Sequence, residues 1–507
     1  MSDNRVRRVL IVGGGTAGWM TAAALSNAFA TSGLDIELVE SEAIGTVGVG
    51  EATLPHIRYF NAGLGIDEAE FIRETQATYK LAIEFRNWRQ VGDSYLHPFG
   101  DFGQPGSAID FHHIWAAFAE DRSAGALDAY SLAVQMCRKN RFAQPGSDPS
   151  SLLSTYSYAY QFDAGRYARF LRAYAEARGV RRTEGRITSV ETAGETGHVE
   201  SVTLEDGTEL QADFFVDCSG FRGLLIEQTC QAGFEDWSQW LPCDRAIALP
   251  SAITKAWPPY TRATALEAGW AWRIPLQHRC GNGHVYASAF LDDDRAEAQL
   301  RDQLEGAALA EPNRLRFRAG KRRSQWVGNC VAIGLSSGFL EPLESTSIHL
   351  IQVGLGYLLD LFPTGDWRAA DTQAFNRIMA LEYERVRDFL ILHYKATERD
   401  DSPFWDYCRT MPVPDSLVEK IELFRERGLV AIYEKGVFLA PSWVAVFMGQ
   451  GIHPHRWDAR CQAYSADQAR AGMSALKQNI DRLTDRLPQH RDTIMKMIAC
   501  EPAGGGA

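Results

Sequence analysis

No segment of the sequence supplies the roughly 18 continuous apolar residues of a membrane span, and the opening run Val9-Leu10-Ile11-Val12 is too short for the apolar region of a signal peptide. A soluble, untargeted protein is expected. Paired cysteines are missing too: the nine present are scattered, with no C-x-x-C pair and no histidine cluster beside them. That pattern argues against a disulfide framework and a structural metal site, and it fits a reducing cytoplasm. Positive charge is in deficit, with 52 Lys and Arg against 64 Asp and Glu and a formal charge of -12. This is the wrong sign for a nucleic-acid binder. The one local basic stretch, Lys321-Arg322-Arg323, reads as a solvated strand edge. No repeat is visible, and low complexity is confined to a tail at 501–507, which is expected to be flexible.

What is present is ordinary globular material, 507 residues at 45% hydrophobic, enough for a sizeable core. From Arg7 to Glu40 the pattern is a buried strand, a glycine turn, a helix over about 19–30 and a second strand over 35–40, a βαβ unit. A Pro, Gly and Ser loop at 144–151 precedes a helical stretch at 166–178. Short runs such as Val202-Thr203-Leu204 and Phe214-Phe215-Val216 then return to sheet, so the unit is interrupted. A further piece at 329–351 has an apolar strand ending in Gly334, then a loop, then an apolar helical run. Charged amphipathic patterning at 372–392 and 417–429 predicts helices. The expected fold is α/β, a Rossmann-like core over 1–365 with interleaved substrate-binding segments at about 80–160, and a mainly helical subdomain over 366–500.

Gly13-x-Gly15-x-x-Gly18, with Thr16 and Ala17 between the last two glycines, lies between strand and helix. There the first glycine permits the turn, the second lets a pyrophosphate approach the backbone, and the third allows close helix packing. Glu40 ends the second strand, where a carboxylate accepts ribose hydroxyls. The segments Asp213-Phe214-Phe215-Val216-Asp217-Cys218-Ser219-Gly220 and Val331-Ala332-Ile333-Gly334 resemble the second and third FAD-contacting pieces of flavin monooxygenase-type folds. FAD rather than NAD is therefore expected. With one glycine fingerprint and no evident nicotinamide domain, reduced flavin is expected to come from a separate reductase.

Gly269-Trp270-Ala271-Trp272-Arg273-Ile274-Pro275 contains W-x-W-x-I-P. Read by itself, this is a strand with two same-face tryptophans packing a core. It is also the motif that separates flavin-dependent halogenases from flavin monooxygenases, and this sequence resembles those halogenases, the tryptophan halogenases in particular, along nearly its whole length. Gly48-Val49-Gly50-Glu51-Ala52-Thr53 is similar to the family's mobile flavin strap. Tyr160-Gln161-Phe162-Asp163, Asp217-Cys218-Ser219-Gly220-Phe221-Arg222, and Ser442-Trp443 with Gly449-Gln450-Gly451 are similar to further family stretches.

The resemblance implies roles for single residues. Taken alone, Lys80 reads as a lysine at a helix end, ordinarily a solvated group; it matches the family's active-site lysine, which holds and aims hypohalous acid. Glu344 matches the glutamate beside the halogenation site, with Glu341, set apart by Pro342, as its rival. Thr346 and Ser347 fall where backbone N–H groups bind chloride or bromide, although relatives commonly carry glycine in place of Ser347. His97 and Phe99 resemble the His-x-Phe lining of an indole pocket, with Trp443 beside it. The FAD contacts implied also include Gly334 and Leu340. The expected reaction uses reduced FAD, O2 and halide to halogenate an indole-like ring. The rivals are a flavin hydroxylase and a non-catalytic flavin- or indole-binding protein, and a homodimer is left open. The segment 430–441 is short beside the lid of free-tryptophan halogenases, so free tryptophan is expected to be a poor substrate, with Tyr433 and Glu434 as a reduced clamp.

Overall fold

The structure is a computed structural model that describes residues 5–43, 50–119, 125–254, 256–365, 367–432 and 436–499. Gly48, Val49, Tyr433, Glu434 and the tail 501–507 lie outside the described residues. Arg8–Val12, whose last four residues are buried, stands between Asp35–Glu40 and Phe214–Asp217 in a six-stranded sheet. Strands Cys330–Ala332, Phe214–Asp217, Arg8–Val12, Asp35–Glu40 and Arg181–Glu184 run parallel, and Trp326–Val327 closes one edge as an antiparallel hairpin. These strands come from widely separated parts of the chain. The dinucleotide core is thus interrupted, as the sequence predicts.

The turn at Gly13 depends on the missing side chain. Its φ is +110°, and a Cβ there would stand 2.4 Å from the carbonyl oxygen of Cys218. The helix that follows begins at Thr16, not near Trp19 as the apolar pattern predicts, because the turn closes directly into it. Asp217, buried at the end of its strand, anchors the adjoining loop by accepting from the N–H groups of Ser219, Leu225 and Ile226 at 2.8–2.9 Å.

A seven-stranded sheet carries Gly269–Pro275 near its centre, between Cys280–Tyr286 and Tyr260–Ala265, and extends to Ala82–Arg86 and Ser94–Pro98. A small sheet joins Gly50–Ala52 and Thr78–Lys80 to opposite sides of Ala159–Asp163. Beyond residue 366 the elements are helical, led by Ala369–Lys395 and Asp415–Arg427, close to the two helices predicted there. The basic stretch departs from expectation. Gly320–Arg322 is the central strand of its sheet, with Lys321 and Arg322 buried. Lys321 pairs with Glu235 at 2.9 Å and Arg322 with Glu227 at 2.8 Å, their charged ends lying over the rings of Trp237 and Phe234. Ion pairs and aromatic faces replace the solvent predicted for both; Arg323 is exposed. Eight described cysteines are all unpaired, seven of them buried.

A Cβ at Gly18 would fall 1.8 Å from the Gly13 carbonyl oxygen, backbone that the turn holds fixed. Gly18→Ala is therefore expected to lose at least about 1–3 kcal/mol of stability and most dinucleotide affinity. Denaturant unfolding and FAD retention on gel filtration measure both, and wild-type values for both would break the link between this contact and the cofactor cradle.

Candidate active site

The glycine turn opens on a cavity of about 820 Å³. Gly13, Gly15, Thr16, Ala17 and Glu40 line one part of it, and Gly334 and Leu340 another. Nothing lies within 4 Å of where a Gly15 side chain would start, so the helix N-terminus faces open space. Glu40 also pairs with Arg182. Gly18 is not on the wall; it packs the helix against the turn. Of the strap-like segment, Glu51 and Ala52 line the cavity while Gly50 pairs with Asp163. Burial pushes the Glu51 carboxyl up to about 8.

Trp270, Trp272 and Ile274 share one strand face by the period of two, and all three line the cavity. Pro275 ends that strand and accepts from Thr78 Oγ1 at 2.7 Å, tying it to the short strand that carries Lys80. Lys80 therefore ends a strand, not a helix, and is fully buried. Its Nζ donates to the Thr53 carbonyl at 3.1 Å and to Ser345 Oγ at 2.9 Å, with the ring of Phe99 5.0 Å away. Burial lowers its pKa to about 7, and the nearby Glu344 charge limits the fall.

Between Gly338 and Ser347 the chain makes a loop in which Glu341, Glu344 and Ser345 all take positive φ, at 69°, 64° and 60°. Each is held by its side chain. Glu344 is buried and faces Nδ1 of His97 at 2.9 Å from both oxygens, and Nε2 of His393 at 2.9 Å from Oε1. Burial alone would raise its pKa; the charge and hydrogen bonds of His97 and His393 outweigh that and hold it at about 2. Nδ1 of His393 also faces an acceptor, the Phe389 carbonyl, at 2.8 Å. Both of its nitrogens can donate only if the ring carries two protons, so His393 and Glu344 form an ion pair or share one proton.

Glu341 turns the other way. It accepts from Trp270 Nε1 at 3.3 Å and Tyr394 Oη at 2.8 Å, and burial raises it to about 8 against those bonds. It is absent from the cavity wall, whereas Glu344, Thr346 and Ser347 are on it. Ser347 begins a 14-residue helix, and the buried Thr346 Oγ1 has no partner among the described residues. The first N–H groups of that helix have no carbonyl within it to bond.

His97, Phe99 and Trp443 do not reach the cavity. They belong to an aromatic cluster with Phe389 and Phe438, in which His97 meets Phe99 edge-on at 6.3 Å and Phe389 at 5.6 Å. Sequence reasoning misses Ser345, His393, Phe389 and Phe438. Only His393 leaves a trace, as the one polar residue in the apolar run 389–393. Elsewhere, Asp110, His112 and His113 bring potential ligand atoms within 4.8 Å of one another. His112 already faces the Gly428 carbonyl at 2.7 Å, at the end of helix Asp415–Arg427, and His113 accepts from the Asp458 N–H at 3.3 Å.

A lysine with a folded-state pKa near 7, against its ordinary 10.5, binds its proton more readily when unfolded. Its burial therefore costs stability fully below pH 7, by at most about 5 kcal/mol at 1.36 kcal/mol per unit, and the cost fades as pH rises to 10.5. Lys80→Met is expected to gain melting temperature relative to wild type at pH 6, and the gain is expected to shrink by pH 10. A difference independent of pH would mean that Lys80 titrates normally.

The chain matches the family profile described as tryptophan halogenase over residues 8–466. It is 36% identical over 525 residues to the tryptophan 6-halogenase SttH of Streptomyces toxytricini, covering 98% of this chain and 99% of that one. The structure superposes on BrvH, a flavin-dependent halogenase from Brevundimonas sp. BAL3, with a TM-score of 0.93, 47% identity and coverage of 98% and 100%. A flavin-dependent halogenase from Xanthomonas campestris gives 0.94, 44%, and 99% and 100%. With the glycine cradle, the W-x-W-x-I-P strand and the buried lysine and glutamate on one scaffold, these likenesses make the chain a flavin-dependent halogenase belonging to the tryptophan halogenase family.

Proposed function

We propose that this halogenase holds hypohalous acid at Lys80 and delivers the halogen to an indole-like ring beside Glu344, with a separate flavin reductase supplying reduced FAD in the cytoplasm. The observation that carries the reading is the buried pairing of Lys80 with Ser345, next in sequence to Glu344, which lines the cavity while its carboxylate is buried against His97 and His393. When bound, reduced FAD would supply the electrons that activate O2, the oxidant that turns chloride or bromide into hypohalous acid. The turn at Gly13 and Gly15 and the helix start at Thr16 fit its pyrophosphate, Glu40 its ribose, and the N–H groups of Thr346 and Ser347 the halide.

The remaining chemistry belongs to this chain's side chains. Lys80 Nζ holds the hypohalous acid by a hydrogen bond or, as the free amine that its lowered pKa makes available, takes its halogen as a haloamine with release of water. Either way the electrophile is kept close to Ser345 and Glu344 and away from bulk water. Attack by the arene leaves a cationic ring that must lose a proton. Glu344, kept ionised by His97 and His393, offsets that charge and accepts the proton.

The test is a panel of indoles and phenols with FAD, a generic flavin reductase and chloride or bromide, read by mass spectrometry. A halide-dependent mass shift is expected; addition of oxygen with or without halide would make the protein a hydroxylase, and no turnover would leave a binding protein. Lys80→Ala is expected to abolish halogenation while FAD binding and oxidation of reduced flavin continue, and product above roughly a tenth of wild type, a barrier change under about 1.4 kcal/mol, removes Lys80 from the mechanism. Glu344→Gln keeps the size but loses the base, for an expected loss of about 10²-fold in turnover.

Free tryptophan brings an ammonium and a carboxylate that need partners once desolvated, whereas indole needs only an aromatic slot. With the segment 430–441 short, the specificity constant is expected to favour indole, or an indole within a larger molecule. A clear preference for free tryptophan would show that the short segment does the work of a longer lid.

A further inference from the structure

The aromatic cluster beside Glu344 is already full. Phe438 lies face to face with Phe389, centroids 3.9 Å apart and planes 23° from parallel. Phe389 in turn meets the edges of His97 at 5.6 Å, His393 at 5.1 Å and Trp443 at 5.0 Å. The ring on which Phe438 stacks therefore touches both histidines that hold the Glu344 carboxylate, and Phe438 itself is 6.2 Å from His97. Face-to-face contact on one ring with edges around it is the arrangement in which a planar arene is bound.

Two further observations separate Phe438 from its neighbours. Lys80, His97, Phe389 and Trp443 are each less than 5% exposed and are not on the wall of the cavity that Glu344 lines, so an arene cannot stand between Lys80 and Glu344 unless something moves. Phe389 is fixed in helix Ala369–Lys395, Trp443 in helix Ala440–Gly449 and His97 in a strand. Phe438 lies outside both helix and strand, and among the described residues no backbone hydrogen bond ties Gly436, Val437 or Phe438 to the fold. Of the five rings it is the one whose backbone is least held.

We propose that Phe438 is a built-in occupant of the arene site: its ring fills the place on Phe389 that the substrate ring takes, and it must swing out before halogenation. This rests on the reading that an indole-like ring is halogenated beside Glu344. An occupant of this kind lowers apparent affinity by the fraction of time the site is closed and leaves the chemistry at Lys80 and Glu344 unchanged. It also sets the substrate class. The ring displacing Phe438 must be uncharged and planar, and what lies beyond that ring follows the path vacated by the 436–439 segment.

The consequence is a split between KM and kcat. Phe438→Ala is expected to lower KM for indole about tenfold or more with kcat within about threefold of wild type, and to lower KM further for indoles carrying bulky substituents. Phe438→Trp is expected to raise KM. A ring that served only as packing, or as a fixed wall of the site, would give the reverse in Phe438→Ala, a raised KM for indole together with a lowered melting temperature, and that result overturns the proposal. A second measurement needs no truncation. With 4-fluorophenylalanine incorporated at 438, the 19F resonance is expected to shift on addition of indole to the FAD-loaded enzyme, and a resonance unmoved at saturating indole overturns the proposal as well. Failure of the wild-type enzyme to halogenate any indole would instead sink the functional reading beneath it, so the two failures are distinguishable.

Discussion

A carboxylate withdrawn from water has to be given partners, and the arrangement around Glu344 follows from that requirement. Its two histidines come from opposite ends of the sequence, His97 from a strand of the seven-stranded sheet and His393 from the long helix that starts the helical region. Neither could approach the carboxylate unless sheet and helix were packed against the same loop. Desolvating an unpaired carboxylate costs several kcal/mol, so its contacts with the two histidines constrain the tertiary structure as much as the tertiary structure positions them.

The loop itself is held against its own preferences. A side-chain-bearing residue at positive φ costs of order 1–3 kcal/mol, and this loop contains three of them, Glu341, Glu344 and Ser345. Each is tied by a different element: Glu341 by Trp270 and Tyr394, Glu344 by the histidines, Ser345 by Lys80. Hydrogen bonds stabilise by about 0.5–1.5 kcal/mol each, more where one partner is charged, so these ties offset strain of that size. The W-x-W-x-I-P strand therefore does more than wall the cavity. Through Trp270 and Glu341 it helps set the shape of the loop that leads to helix Ser347–Asp360.

Much of this was legible in the sequence because it is written in local pattern. The glycine turn, the strand ending at Glu40 and the period-two tryptophans each declare themselves within a dozen residues, and family resemblance picked out Lys80 and Glu344 as a pair. What could not be read were partnerships set by long-range packing. Nothing near His393 points to Glu344, 49 residues away, and Phe438 gains its meaning from Phe389 on another element. Lys321 and Arg322 misled for the same reason: a basic run normally seeks water, and only the folded chain brings Glu235 and Glu227 to them.

The unpaired cysteines bear on how an enzyme survives its own product. Hypohalous acid attacks thiolates readily, and a protein that makes it in its interior exposes its own sulfur first. Burial raises the pKa of all seven buried thiols, Cys218 on the cavity wall included, so that they stay protonated and sluggish as nucleophiles. Cys230, half-buried and lowered by its hydrogen bond with Cys330, goes the other way. It packs against the smaller apolar cluster of the parallel sheet and is not on the cavity wall. In this fold the thiol on the cavity wall is kept in its protonated, less reactive form by burial, a chemical self-protection built from packing alone.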